Sequence, residues 1–299
     1  MIEMSSMKLV APISCGSSAL NDLGDSESFD LGNNIVLAKT PDGFKNTNSG
    51  SILNFYHYYR DVRYCLIHSY QYPSEETNLV NTENLNKEPF ESIRLANLAL
   101  WLAKPNPASF DLLYHAEICK TGWECRGWRQ VPEFQPNNGY GNVRLNKQDM
   151  ETAQDRNTTL HDIRRQCPDS PVWFASRACY KALTESWWEA RFLWFWIGLE
   201  ALFCPPQEGK ISKKLKNRLA AFLGSGVDQK ELDDSYHWRS QIAHGKSLVK
   251  LGATESEGIL FSVESYLQAS LEKILGDAQL IKTFNNDCDR ANYLKRISQ

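Results

Sequence analysis

Arg239 and His244 are the two side chains of this sequence whose types and spacing best suit shared chemistry. They lie in the run Tyr236-His237-Trp238-Arg239-Ser240-Gln241-Ile242-Ala243-His244-Gly245. Histidine exchanges a proton near neutral pH, and arginine grips phosphate in a two-pronged fork. The pair therefore fits cleavage of a phosphodiester, with His244 handling a proton and Arg239 holding the phosphate. On a regular helix their spacing puts them about 140° apart, so they share no face. They converge if the helix loosens at Gly245, if Arg239 reaches round, or if two chains contribute. The plain alternative is a histidine capping a helix end and an arginine on a solvated face.

The element that carries them is well marked. Asp228 to Asp234 reads as a helix start, with acids in the first turn. Gly245 reads as the stop, because glycine tolerates the left-handed conformation just past a helix end. Upstream, Trp187 to Phe203 is apolar nearly all round, so it belongs at the centre of a bundle or in a dimer interface. Ile211 to Leu223 sets Lys213, Lys214 and Arg218 against Leu215, Leu219 and Phe222. Those cations are either a solvated face or a surface that tracks phosphates beside the Arg–His pair. Ser170-Pro171 opens a further helix, a capping residue followed by proline. Glu255 to Leu275 is an amphipathic helix, and Ala278 to Ile297 reads as a short tail helix.

Three of these segments in order carry a resemblance. Ile197-Gly198-Leu199-Glu200-Ala201-Leu202-Phe203, then Arg218-Leu219-Ala220-Ala221-Phe222-Leu223, then Tyr236-x2-Arg239-Ser240-x-Ile242-x-His244-Gly245 resemble the Apea-like HEPN family over about residues 172–280. The pattern departs at Gly198, where alanine is expected and only helix propensity is at stake. It departs again at His237-Trp238, which replace smaller residues.

The resemblance implies a compact helical bundle, often dimeric, in which Arg239 and His244 of the chains meet across the interface. It implies a metal-independent endoribonuclease without cofactor, in which the ribose 2′-hydroxyl attacks the adjacent phosphate. Ser240, Tyr236 and Lys246 would position the substrate, and Glu200 would orient Arg239 or cap the core. The setting it implies is a toxin or antiphage-defence effector that cuts RNA, with an antitoxin or an activating phage component as partner. The alternative is a non-catalytic HEPN-like module that binds nucleotide, nucleic acid or a partner protein.

Composition bounds these readings. The chain has 299 residues, 42% hydrophobic and 23% charged, as for an ordinary globular protein. Its net charge of −3 and pI near 6.1 do not advertise a general nucleic-acid binder, though they allow a local basic groove. No stretch reaches the roughly 18 apolar residues of a membrane span, and Met1 to Leu20 makes a poor signal peptide. Eight scattered cysteines form no disulfide framework, so a reduced, cytoplasmic protein is expected.

The expected fold is mainly α, with an N-terminal mixed α/β region over 1–170, a candidate sensor or regulator, and a helical bundle over 171–299. Residues 1–50 read as loop with one short strand near Asn33 to Ala38. Ser51 to Tyr72 reads as an amphipathic helix decorated by His57, Arg60, Arg63 and His68. Phe90 to Leu102 is an apolar helix, Phe110 to Cys119 and Trp123 to Phe134 are strands, and Lys147 to Gln166 is a charged helix. His115, Cys119 and Cys125, with His161 or Cys167, invite zinc. They lack the paired Cys-x2-Cys that makes zinc sequences convincing, so buried free cysteines and no metal are expected.

Overall fold

The computed structural model describes residues 4–13, 17–23, 28–40, 62–73, 87–119, 122–136, 142–206, 211–245 and 253–299. It is mainly helical with an N-terminal antiparallel sheet, and the chain divides into two compact units, Met1–His161 and Asp162–Gln299. Among the described residues no helix is long and apolar enough to cross a membrane.

Among its described residues the first unit has six strands: β1 (Met4–Pro12), β2 (Ser28–Asp30), β3 (Ile35–Lys39), β4 (Tyr64–Pro73), β5 (Leu112–Cys119) and β6 (Gly122–Gln130). They form one sheet in the order β2-β3-β4-β1-β5-β6, each pair antiparallel. Helix α1 (Lys87–Ala103) and helix α2 (Lys147–Gln166) accompany it. Ile93, Ala96 and Leu100 of α1 and Met150 and Ala153 of α2 join Leu9, Leu37, Leu66 and Leu113 in one core. Val10, Cys65, Ile67, Tyr114 and Ala116 form a second cluster on the opposite face.

Two sequence expectations are corrected here. Residues 4–12 are a central strand rather than loop, and residues 64–72 are strand β4 rather than helix. Tyr64, Cys65, Leu66 and Ile67 are all buried, and a strand covered on both faces loses its alternation. His57 and Arg60 lie outside the described residues.

The β2–β3 turn uses three left-handed residues, Gly32, Asn33 and Asn34. Asn157 of α2 donates to the Leu31 carbonyl at 2.8 Å. A Cβ on Gly32 would meet the Thr158 hydroxyl at 2.8 Å, so glycine is needed both for its dihedral and for the close approach.

Strand β4 also buries His68, whose Nδ1 has no hydrogen-bond partner among the described residues. Burial, with His161 adding, pushes this imidazole down to about 4; Glu88 acts weakly the other way. The unfolded chain protonates near 6.5. Stability is therefore fully present above that value and is lost as pH falls toward about 4. Unfolding midpoints measured between pH 7 and 5 should fall with pH, and His68→Gln should flatten that slope; an unchanged slope would contradict the assignment.

The second unit holds α3 (Pro171–Leu183), α4 (Trp188–Phe203), α5 (Ile211–Leu223), α6 (Gln229–Ala243), α7 (Ala253–Leu275), α8 (Ala278–Phe284) and α9 (Asp287–Ile297). Ser170 caps α3 by accepting from the Trp173 amide at 3.2 Å. The expected single tail helix is two, because the Asn286 side chain accepts from Asp289 N and starts a new helix. Helix α4 packs against α3, α5, α6 and α7 and buries Phe192, Phe195, Trp196, Leu199 and Leu202. Trp187, at its start, is 75% exposed. Phe203, Phe222, Phe284 and Tyr293 form an edge-on aromatic cluster.

Gly198 has a packing reason beyond helix propensity. A Cβ there would lie 2.7 Å from Leu267 Cδ2, so α4 and α7 meet closely at this point. Gly198→Val should destabilise the unit by about 1–3 kcal/mol through overpacking, read as a lower urea midpoint; an unchanged midpoint would show that Leu267 gives way freely.

Candidate functional site

Helix α6 is fixed from both ends. Asp228 caps it, accepting from Glu231 N at 2.9 Å. The Glu231 carboxylate then receives the Tyr266 hydroxyl at 3.2 Å and the Ser262 hydroxyl, both from α7. Burial, followed by Glu231, holds the Tyr266 phenol well above the usual tyrosine range. Lys216 of α5 pairs with Asp233. The acids at this end complement the positive end of the helix dipole. Sequence reading gave Glu231 only that dipole role; its link to α7 is tertiary.

Toward its other end, α6 lies on α4. The Tyr236 ring stands edge-on to Trp196, with centroids 5.2 Å apart at 90°. Burial and then Glu200 raise the Tyr236 phenol, while Arg239 opposes them. Arg239 Nη2 donates to both oxygens of Glu200, at 2.9 and 3.0 Å. The two side chains are 28% and 23% exposed, so their attraction is partly screened and adds little to stability. Its effect is to fix where the guanidinium points. Arg239 Nε is buried without a partner among the described residues, so the guanidinium has donor capacity beyond Glu200.

His244 is the C-cap residue, its amide donating to the Ser240 and Gln241 carbonyls at 3.2 Å. Its side chain is exposed. Gly245 follows with φ +75° and donates to Ile242 O at 2.9 Å. A Cβ at Gly245 would meet nothing, so the glycine serves its dihedral alone and ends the helix.

The structure brings Tyr236, Arg239 and Glu200 together. It does not add His244 to them within one chain: among the described residues no hydrogen bond joins Arg239 to His244. Ser240 is half-buried between them, and Lys246 lies outside the described residues. Lys213 and Lys214 are exposed. Arg218 is different. It is buried, and its Nη1 donates to the Phe203 carbonyl at 2.9 Å, capping the end of α4 inside the unit. The expectation that it faces a phosphate is therefore corrected.

Of the residues weighed for zinc, His115 Nδ1 shares a 2.9 Å hydrogen bond with the Tyr70 hydroxyl. The side chains of Cys119 and Cys125 lie outside the described residues. Among the described residues no three metal-ligating side chains cluster. No protein-family profile, curated protein or solved structure matches the chain.

Proposed function

We propose that the chain is a HEPN-type endoribonuclease acting without metal through Arg239 and His244. The observation that supports this best is the Glu200–Arg239 pair. It aims an always-charged phosphate grip from the helix whose exposed end carries His244. The ribose 2′-hydroxyl attacks the neighbouring phosphate, which accounts for RNA over DNA. Arg239 stabilises the charge that develops on the phosphate oxygens, and His244 moves a proton. Glu200 positions Arg239, with Tyr236 packed beside it and Ser240 near the substrate; by resemblance, Lys246 is a further positioning residue.

The two groups stand on different sides of α6, so we place the working site between two copies, with Arg239 of one facing His244 of the other. By resemblance, the setting is a toxin or defence effector held by an antitoxin or released by a phage component. The second reading, a binding module, is favoured by the Glu200 carboxylate already engaging Arg239.

The test is cleavage of a pool of single-stranded and structured RNA by wild type, Arg239→Ala and His244→Ala, with EDTA throughout. Cleavage by wild type alone supports the enzyme. Binding without cleavage, lost in Arg239→Ala, supports the module. Equal cleavage by all three overturns the site.

A further inference from the structure

A second histidine lies on the exposed side of α6. His237 is seven positions before His244, two turns of helix, so their Cβ atoms project within roughly 20° of one another. Ser240 and Gln241 fall between them, completing the i, i+3, i+4, i+7 set of one helical face. His237 and His244 are both exposed, and Ser240 and Gln241 are half-buried. The His237 imidazole rests edge-on against Trp238, with centroids 5.8 Å apart and planes at 68°, which restrains the ring.

Other charges on this side are Lys230, Asp233 and Asp234, all nearer the helix start and exposed. Asp233 is engaged by Lys216 of α5. Among the described residues, His237 and His244 are the two histidines on this side of the helix.

We infer that His237 is the second proton-transfer residue of the site, a catalytic role that rests on the ribonuclease reading above. Two turns separate the histidines by about 10.5 Å along the axis. A phosphodiester with its 2′ and 5′ oxygens lies in that gap, each imidazole reaching in from one end and the Ser240 hydroxyl beneath. His244, at the exposed end of the helix, gives its proton to the departing 5′-oxygen. His237 takes the 2′-hydroxyl proton. The 2′-oxygen–phosphorus bond forms and the phosphorus–5′-oxygen bond breaks. The products are a 2′,3′-cyclic phosphate and a 5′-hydroxyl, with one proton received and one delivered. Arg239 lies off this stripe, and a second copy supplies it.

The experiment uses the full chain and two RNA oligonucleotides of one sequence, one with oxygen and one with sulfur at the bridging 5′ position of the cleaved linkage. Sulfur leaves without a proton. His237→Gln should lower kcat by about 10²-fold or more on both, with KM little changed, and should remove the acidic limb of the pH profile. His244→Gln should be slow on the oxygen substrate and restored toward wild type on the sulfur one. Added imidazole should recover part of the rate of His237→Ala. If His237→Gln keeps the wild-type kcat and pH profile while wild type cuts, the inference fails and the ribonuclease reading stands. If wild type cuts neither RNA, both fail.

Discussion

Glu264→Ala is expected to destabilise the helical unit by about 3–5 kcal/mol, the loss that follows when one partner of a buried ion pair is removed. Arg191 Nη2 meets Glu264 Oε2 at 2.8 Å, and the side chains are 10% and 0% exposed. Removing the carboxylate leaves a largely buried guanidinium without the counter-charge that Glu264 supplies. Native domains hold only about 5–15 kcal/mol in total, so the change takes a large share. Cys179 lies close enough to register the pair. Burial first, and Glu264 second, push its thiol well above the usual range, and Arg191 opposes them.

Urea unfolding followed by tryptophan emission measures the loss. Replacing both partners by apolar residues, as Arg191→Met with Glu264→Leu, should recover most of it, since no unpaired charge remains. A single substitution that lowers stability by less than about 1 kcal/mol would mean that water reaches the pair.

His244→Ala should lower the rate of RNA cleavage by about 10²–10⁴-fold, the range for a lost proton-transfer group, while leaving the fold unchanged. His244 is exposed and caps α6 through its backbone amide, not its ring. Circular dichroism and the urea midpoint should therefore match wild type. A variant that loses structure along with activity would make His244 a scaffold residue and would undo its chemical role.

Much of the helical unit was legible because its signals are local. The Ser170 cap with Pro171, the Asp228 cap, and the stop at Gly245 each lie within a few residues of what they terminate, and the structure places them so. Helix α2 runs over the residues its charged pattern marks.

The sheet was harder to read, because its pairing is not local. Strand β1 sits between β4 and β5, partners far along the chain. Burial on both sides removes the alternation that distinguishes a strand. In β4, Leu66 and Tyr70 stand four apart and imitate a helical step.

Within the site, the resemblance left Glu200 either to orient Arg239 or to cap the core, and spacing alone said nothing of the ion pair the two side chains make. Arg218 was misjudged because its position in a lysine-rich run says nothing of the Phe203 carbonyl it reaches. His237 read as a departure from a pattern. Its place two turns before His244 becomes meaningful once α6 is a continuous helix with that side exposed.

The most direct measurement is the chemistry of the cut ends. Wild-type protein is incubated with RNA in EDTA, and the termini are identified by mass spectrometry and by resistance to phosphatase. The expected products carry 2′,3′-cyclic phosphate and 5′-hydroxyl ends, formed at an undiminished rate in the chelator. Ends bearing 3′-hydroxyl and 5′-phosphate, or cleavage abolished by EDTA, would contradict it.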